Sequence, residues 1–183
     1  AVSDLHGCYD KYIKLLERLN MTPNDSLYVL GDIVDRGSDG MKILSDLIKR
    51  KNIFSCRGNH DHFAQILLRS FAMPNDGCFA DGLEEAFGLW LSDGGSTTYD
   101  EFLKLDERNR HAVLNYLNSL PLFEKLTVEG RRFFLAHTVP EKSRMLDFDN
   151  CRVSDFIMGE PEYEKVYFED KIIVTGHTPT GFI

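Results

Sequence analysis

Short apolar segments alternate with helical patterns in the first third of the chain. Residues 1–3, 27–30 and 53–56 form apolar runs of strand length, while apolar residues recur every three or four positions across 12–19 and 41–48. This order predicts a β-α-β-α-β arrangement with a largely parallel sheet. Ligands of such sheets bind beyond the carboxyl ends of the strands. The polar residues that follow each apolar run are therefore candidates for a functional site.

The rest of the chain predicts a hairpin, a further strand and a helical segment. Residues 122–128 and 131–136 are separated by a Glu-Gly pair, which is typical of a hairpin with a tight turn, and 172–175 form another short apolar run. Residues 64–120 hold no convincing strand, so we interpret them as a helical excursion over the site, with Trp90 as a packing residue. The prediction is an α/β fold with a mixed sheet, or two packed sheets, flanked by helices.

Length and composition narrow the class of protein. A chain of 183 residues is expected to form one domain over 1–183, and we expect it to lack the first residues of its first strand and some C-terminal strands. With 43% hydrophobic and 27% charged residues, the composition is typical of a soluble globular protein. No apolar run approaches the roughly 18 residues needed to cross a bilayer. A membrane protein is not expected.

Charge and cysteine usage exclude further classes. The chain has 21 Lys and Arg against 29 Asp and Glu, a net charge of −8, and no basic block. Nucleic acid is therefore not expected as a partner. The four cysteines have neither zinc-site nor disulfide-framework spacing. We expect reduced thiols in a cytoplasmic protein.

The polar residues after the apolar runs are typical of a metal site. They are carboxylates, an amide, imidazoles and one guanidinium, and the oxygen and nitrogen ligands among them suit Mn, Fe or Zn. Residues two apart in a strand face the same side, so Asp4 and His6 can hold one ion together. Asp32 can bridge to a second ion, as in two-metal hydrolytic sites that direct a shared water at phosphorus. The set is Asp4, His6, Asp32, Asp35, Arg36, Asn59, His60, His137 and His177.

Several of these residues lie in motifs that resemble the signature of calcineurin-like metallophosphoesterases. The motifs are Asp-Leu-His-Gly from Asp4, Gly-Asp-Ile-Val-Asp-Arg-Gly from Gly31 and Arg-Gly-Asn-His-Asp from Arg57. Leu-Ala-His ending at His137 and Thr-Gly-His-Thr-Pro around His177 match two further histidine motifs. The chain is similar in particular to the bacterial and phage-type branch of the PPP serine/threonine protein phosphatases.

This resemblance implies a fold and a dinuclear metal centre. The fold would be the calcineurin-like metallophosphoesterase fold, a β-sandwich of mixed sheets flanked by helices, with the site at the carboxyl ends of the strands. Two divalent ions are implied, with manganese expected and iron or zinc as alternatives, and a bridging hydroxide would attack phosphorus. One ion would be held by Asp4, His6 and Asp32, and the other by Asp32, Asn59, His137 and His177.

The resemblance also implies roles around the substrate. His60 would be the general acid, Asp35 its orienting carboxylate and Arg36 the clamp on phosphoryl oxygens. A seryl alkoxide needs a proton to leave, and an imidazole held by a carboxylate can supply it near neutral pH. Asn59 and Arg57 are further candidates for substrate binding, although a structural ion pair is an equal alternative for Arg57.

The expected function is a metal-dependent phosphatase acting on phosphoserine and phosphothreonine, with a phosphoprotein or phosphopeptide as partner. One alternative is a symmetrical hydrolase of dinucleoside polyphosphates such as diadenosine tetraphosphate. Those enzymes resemble this family but typically lack the counterpart of Asp35. A non-catalytic metal-binding scaffold is a third reading, since residues 155–160 lack the family's usual second phosphate-binding arginine and only Arg144 and Arg152 are near.

Overall fold

The computed structural model describes residues 1–73 and 82–179. Strands and helices follow the predicted order, and short helical turns lie at Leu91–Gly95 and Phe148–Asn150. The strands are β1 (Leu27–Leu30), β2 (Ile53–Cys56), β3 (Phe123–Val128), β4 (Arg131–Ala136) and β5 (Lys171–Val174). The helices are α1 (Tyr9–Leu19), α2 (Gly40–Leu47), α3 (Asn59–Ala72), α4 (Leu83–Trp90), α5 (Ser96–Leu103), α6 (Glu107–Ser119), α7 (Lys142–Leu146) and α8 (Val153–Ile157).

The first sheet is parallel, as the alternating pattern predicts. Strands β1 and β2 pair in parallel along their whole length. The strand predicted at 1–3 is reduced to one parallel bridge between Val2 and Val29. The backbone enters the left-handed region at Asp4, with φ 56°, and beyond the bridge the N–H groups of Asp4 and His6 still donate to the segment that follows β1. Helices α1 and α2 connect the three segments, so the β-α-β-α-β order is confirmed.

The second sheet is mixed. Strands β3 and β4 form the predicted antiparallel hairpin, and β5 pairs in parallel with β4. The two sheets pack on each other, because Leu30 and Cys56 of the first sheet lie in one buried cluster with Leu135 of the second. The prediction of two packed sheets is confirmed, and the sheets bring the carboxyl ends of β1, β2, β4 and β5 into one region.

The described part of the excursion between the sheets consists of helices joined by short turns. Leu67 of α3, Phe102 of α5 and Leu117 of α6 are fully buried in one core cluster with Leu44 of α2. Burying such side chains contributes about 1.5 to 3 kcal/mol each. This packing holds the helices from α3 through α6 against the face of the first sheet that α2 also covers. It brings the connection between α4 and α5 close to the strand ends.

Two further expectations concern membranes and thiols. Among the described residues, none of the helices combines the length and apolar character that a membrane crossing requires. Cys8, Cys56 and Cys151 are free thiols, as expected. Cys78 lies outside the described residues.

Candidate active site

The predicted site residues lie in the loops that follow the strands. Each loop leaves its strand at the carboxyl end, so the loops after both sheets meet at one place. The bridge at Val2 is followed by Asp4 and His6, and β1 is followed by Asp32, Asp35 and Arg36. Helix α3 begins just after β2 with Asn59 and His60. His137 comes directly after β4, and His177 comes shortly after β5.

Many of these residues have a left-handed backbone. A side chain with a Cβ adopts this conformation at a cost in free energy, and such residues concentrate at functional sites. Within residues 1–73 and 82–179, two other non-glycine residues share this conformation, Asn20 and Glu129. The site residues with positive φ are Asp4 (56°), His6 (41°), Asp32 (54°), Asp35 (69°), Arg36 (68°) and His177 (67°).

His137 is at the centre of one group of ligand atoms. Its Nδ1 lies 2.7 Å from the carbonyl oxygen of Leu30. A carbonyl only accepts, so Nδ1 donates and Nε2 carries the lone pair. That Nε2 lies 3.0 Å from Asn59 Oδ1, 3.0 Å from His177 Nδ1 and 3.4 Å from Asp32 Oδ2. Converging nitrogen and oxygen ligand atoms of this kind fit a divalent cation.

His6 lies on the other side of Asp32, while Asp4 lies beside His177 and belongs to neither of the two groups of ligand atoms around Asp32. Nδ1 of His6 lies 3.1 Å from the carbonyl oxygen of Val34, which leaves Nε2 to face Asp32 Oδ2 at 3.8 Å. The carboxylate of Asp4 accepts the backbone N–H of His177 at 3.0 Å. Asp32 therefore lies between His6 and His137, which is the position a bridging carboxylate requires.

Asp32 is a buried carboxylate with an unusual pKa. Burial raises the pKa of Asp32 to about 7, although the charge and the backbone N–H of His60 act to lower it. A cation beside this carboxylate would keep it ionised. The neighbouring Gly58 makes room for it, because a Cβ at that position would lie 2.2 Å from Asp32 Oδ1.

The three histidines around Asp32 are suited to hold a metal. The pKa of His6, of His137 and of His177 is lowered, in each case mainly by burial. Neutral imidazole is the form that binds a metal ion. The described residues contain two groups of three side chains whose ligand atoms, within each group, lie within 4.8 Å of one another, and both groups contain Asp32. One group is His6, Asp32 and His60, and the other is Asp32, His137 and His177.

His60 differs from those histidines in the partner of its Nδ1. This atom lies 2.7 Å from Asp35 Oδ2, and both side chains are buried. Its Nε2 lies 3.1 Å from the Arg36 guanidinium. Burial acts to lower the pKa of His60, but the hydrogen bond to Asp35 and the charges of Asp32 and Asp35 raise the pKa overall. His60 therefore retains a proton more readily than the ligand histidines.

Arg36 occupies the open side of the site. Its guanidinium donates to Nε2 of His6 at 3.0 Å and to Nε2 of His60 at 3.1 Å, and its side chain is 54% exposed. His6 can bind a cation through Nε2 only if this guanidinium turns away. An anion that enters the site would offer the guanidinium a partner in place of the two imidazoles.

Trp90 and Asp93 also reach the site, which the sequence analysis missed. Trp90 is buried in the core, as predicted for a packing residue, yet its Nε1 also donates to Asp35 Oδ2 at 2.7 Å. Asp93 lies 3.8 Å from His60 Nε2 and 3.9 Å from the Arg36 guanidinium. The sequence feature that could have indicated this position is the Asp-Gly-Gly turn at 93–95, because such turns reverse the direction of the chain and can bring it back to a neighbouring element.

Asp61 is the third residue that the sequence analysis missed. Its Oδ1 accepts the backbone N–H of Ile33 at 2.9 Å, and its Oδ2 accepts that of Gly58 at 3.0 Å. This buried carboxylate therefore ties the loop after β1 to the loop after β2. Its position in the first turn of α3 was a signal, because acidic residues there accept backbone N–H groups.

The remaining arginines make other contacts. Arg57 donates to the carbonyl oxygen of Asn118 at 2.7 Å, and the ion pair considered for it is not found among the described residues. Arg144 donates to Asp155 at 3.2 Å and to the carbonyl oxygen of Asn150 at 2.6 Å. Arg152 is exposed. These contacts bring no second arginine to His60.

Comparison with known proteins identifies the family. The calcineurin-like phosphoesterase family matches residues 1–182. The chain belongs to this family. Members use a dinuclear metal centre, and the two ligand groups that share Asp32 supply candidate ligands for it. The expected metallophosphoesterase fold is thereby confirmed.

Relatives within the family differ in activity. The chain is 37% identical over 62 residues to a symmetrical bis(5'-nucleosyl)-tetraphosphatase of Wigglesworthia glossinidia brevipalpis, covering 33% of this chain and 23% of that protein. It is 28% identical over 166 residues to serine/threonine-protein phosphatase 2 of Salmonella typhimurium, covering 87% of this chain and 69% of that protein. A solved structure provisionally described as a diadenosine tetraphosphatase superposes with a TM-score of 0.52 at 22% identity, covering 80% of this chain and 52% of that chain.

Proposed function

We propose that this phosphoesterase is a dinuclear metal-dependent phosphomonoesterase that acts on phosphoserine and phosphothreonine in proteins. The observation that carries this proposal is the buried pair of His60 and Asp35, joined at 2.7 Å. A seryl or threonyl alkoxide leaves only when it receives a proton, whereas the phosphate that leaves from an anhydride needs little protonation. A buried acid oriented by a carboxylate therefore favours a phosphomonoester as substrate.

The side chains divide the work on such a substrate. Arg36 presents a planar pair of donors that can bind two phosphoryl oxygens, and Asn59, next to His60 in the chain, can offer its side-chain NH₂ group as a further donor. Once Arg36 has turned from His60 to the phosphoryl group, Nε2 of His60 can carry a proton and donate it to the departing oxygen, and Asp35 stabilises the charged ring. When bound, the two ions supply Lewis-acid activation and neutralise charge on the phosphoryl group. The residues that would hold them are Asp4, His6, Asp32, Asn59, His137 and His177.

A second candidate is the symmetrical hydrolysis of dinucleoside polyphosphates. The observation that favours it is the match to a symmetrical bis(5'-nucleosyl)-tetraphosphatase, although that match covers 33% of this chain. In that reaction the pair of His60 and Asp35 would contribute little, because the leaving group is already stable as an anion. A non-catalytic scaffold is disfavoured, since the implied ligand set is complete.

A substrate comparison tests the proposal. Phosphoseryl, phosphothreonyl and phosphotyrosyl peptides are compared with diadenosine tetraphosphate at equal concentrations of Mn²⁺, Zn²⁺ or Fe²⁺. We expect the phosphoseryl and phosphothreonyl peptides to have the highest kcat/KM with Mn²⁺, and Asp35→Asn to reduce these values. Faster turnover of diadenosine tetraphosphate that is insensitive to Asp35→Asn would instead establish the second candidate.

A further inference from the structure

The connection between α4 and α5 brings three groups to the residues Asp35, Arg36 and His60. The indole of Trp90 donates to Asp35 Oδ2, and the carbonyl oxygen of Gly94 accepts the backbone N–H of Arg36 at 3.0 Å. Asp93 lies between them and faces the Arg36 guanidinium at 3.9 Å. The chain turns sharply here, since Gly94 has φ 101°. This segment belongs to the helical excursion, and not to the strand-end loops that supply the predicted ligands.

The carboxylate of Asp35 is held through one oxygen. His60 Nδ1 and Trp90 Nε1 both lie 2.7 Å from Oδ2. The other oxygen, Oδ1, is buried and has no hydrogen-bond partner among the described residues. With His60 as its only donor, the plane of the carboxylate could tilt about that one contact. The indole of Trp90 holds the same oxygen from a different element, α4, and so fixes the position of that oxygen.

The indole itself is placed by close packing. Trp90 is 5% exposed and lies in the main core cluster. Its ring rests against Gly95, where a Cβ would come within 2.3 Å of a ring carbon. A glycine at this position is therefore required for the ring to reach Asp35. The backbone of Asp35 is held separately, because its N–H donates to Thr98 Oγ1 of α5 at 2.9 Å.

We infer that Trp90 is a positioning residue for proton donation, which rests on the proposed function. Its N–H orients the Asp35 carboxylate, and the oriented carboxylate directs the His60 ring toward the leaving oxygen. Hydrogen bonds to a charged group are stronger than those between neutral groups, so this contact is strong enough to select one orientation. The helical excursion thereby takes part in the chemistry as well as in the core.

A spectroscopic test needs neither substrate nor metal. Trp90 is the only tryptophan in the chain, so the ¹H–¹⁵N spectrum has one indole cross-peak. Asp35→Asn replaces the charged acceptor by an amide, and we expect the indole proton to shift upfield. Asp106→Asn is the matched control, because this exposed residue caps α6 through the N–H of Asn109 and should leave the peak in place. An indole peak that Asp35→Asn does not move would overturn the inference.

A kinetic test separates positioning from structural support. Trp90→Phe keeps an aromatic ring and removes the N–H donor. We expect kcat for a phosphoseryl peptide to fall roughly 10- to 100-fold, the loss that a small misplacement causes, with KM nearly unchanged. Hydrolysis of nitrophenyl phosphate should change by less than about twofold, because its leaving group needs little protonation. In an Asp35→Asn background, Trp90→Phe should have no further effect.

The control for this test is Phe102→Leu. Phe102 is fully buried in the same cluster as Trp90 but has no group that can hydrogen-bond to Asp35. This variant should be less stable while keeping the ratio of rates on the two substrates. If Trp90→Phe lowers both rates equally, or lowers neither, Trp90 is not a positioning residue. Faster turnover of diadenosine tetraphosphate that is insensitive to Asp35→Asn would instead mean that the proposed function fails, so the two failures are distinguishable.

Discussion

The site consists of two halves that orient their histidines in different ways. The metal half comprises Asp4, His6, Asp32, Asn59, His137 and His177, and the proton-donor half comprises Asp35, Arg36, His60, Trp90 and Asp93. In the metal half, Nδ1 of His137 and of His6 donates to a backbone carbonyl oxygen. In the proton-donor half, Nδ1 of His60 donates to a carboxylate.

This difference assigns different chemistry to the same residue type. A carbonyl orients the ring without adding charge, so burial dominates and the pKa of His137 is lowered. A carboxylate adds a negative charge beside the ring, and the pKa of His60 is raised. Under the proposed function, His137 offers a lone pair to a cation and His60 keeps a proton to donate. For these two residues, the partner of Nδ1 would then distinguish a ligand from an acid.

The largest expected effect is the loss of the residue shared by both ligand groups. Asp32→Ala should lower kcat/KM by about 10⁴-fold or more on every substrate, since metal ions supply several kcal/mol of transition-state stabilisation. Arg36→Ala should cost about 10²-fold, as for the loss of one donor to the transition state. Steady-state rates at measured metal content test this ranking. Equal residual rates in the two variants would contradict it.

Removal of the proton donor should affect one class of substrate. We expect His60→Asn to slow hydrolysis of a phosphoseryl peptide by about 10²- to 10⁴-fold, with a loss close to unity for nitrophenyl phosphate. Asp35→Asn should show the same trend more weakly. Rates across a series of leaving groups provide the measurement. Equal losses on both substrates would mean that His60 belongs functionally to the metal half.

Metal binding should depend on the metal half and not on the proton-donor half. Mn²⁺ at a hundredfold excess over its Kd should raise the free energy of unfolding by about 2.7 kcal/mol for each ion bound, relative to protein in chelator. His137→Ala should abolish the contribution of the ion that His137 holds, and His60→Asn should keep the whole increase. Urea denaturation with and without Mn²⁺ measures the difference. An equal loss in both variants would make His60 a ligand, as its place in a group with His6 and Asp32 allows.

The smallest expected effect concerns Asp61, which joins the loop after β1 to the loop after β2 and so supports both halves of the site. Asp61→Asn keeps an acceptor for the N–H of Ile33 but turns an NH₂ group toward the N–H of Gly58. One buried donor loses its partner, so the free energy of unfolding should fall by about 2 kcal/mol. Asp106→Ala removes an exposed cap and should cost about 1 kcal/mol. Urea denaturation compares them, and an Asp61 variant as stable as the wild type would show that the two loops are held independently.

The sequence by itself determined the elements and the chemistry of the metal half. Apolar runs and helical spacing predicted β1, β2, the β3–β4 hairpin and the helical excursion, because these patterns are local and repeat within a few residues. The ligand candidates were found for a related reason, since each follows a strand end that the same patterns predict. The pair of His60 and Asp35 came from the family resemblance, and the structure places them 2.7 Å apart.

Only the tertiary structure decided which partner each side chain has. His137 donates to Leu30 across 107 residues, and Trp90 donates to Asp35 across 55. No periodicity within a strand or a helix carries such a pairing, so the sequence analysis gave Trp90 only a packing role and considered an ion pair for Arg57. These hydrogen bonds depend on how the helical excursion packs against the first sheet, which follows from the fit of many buried side chains together and not from any one segment.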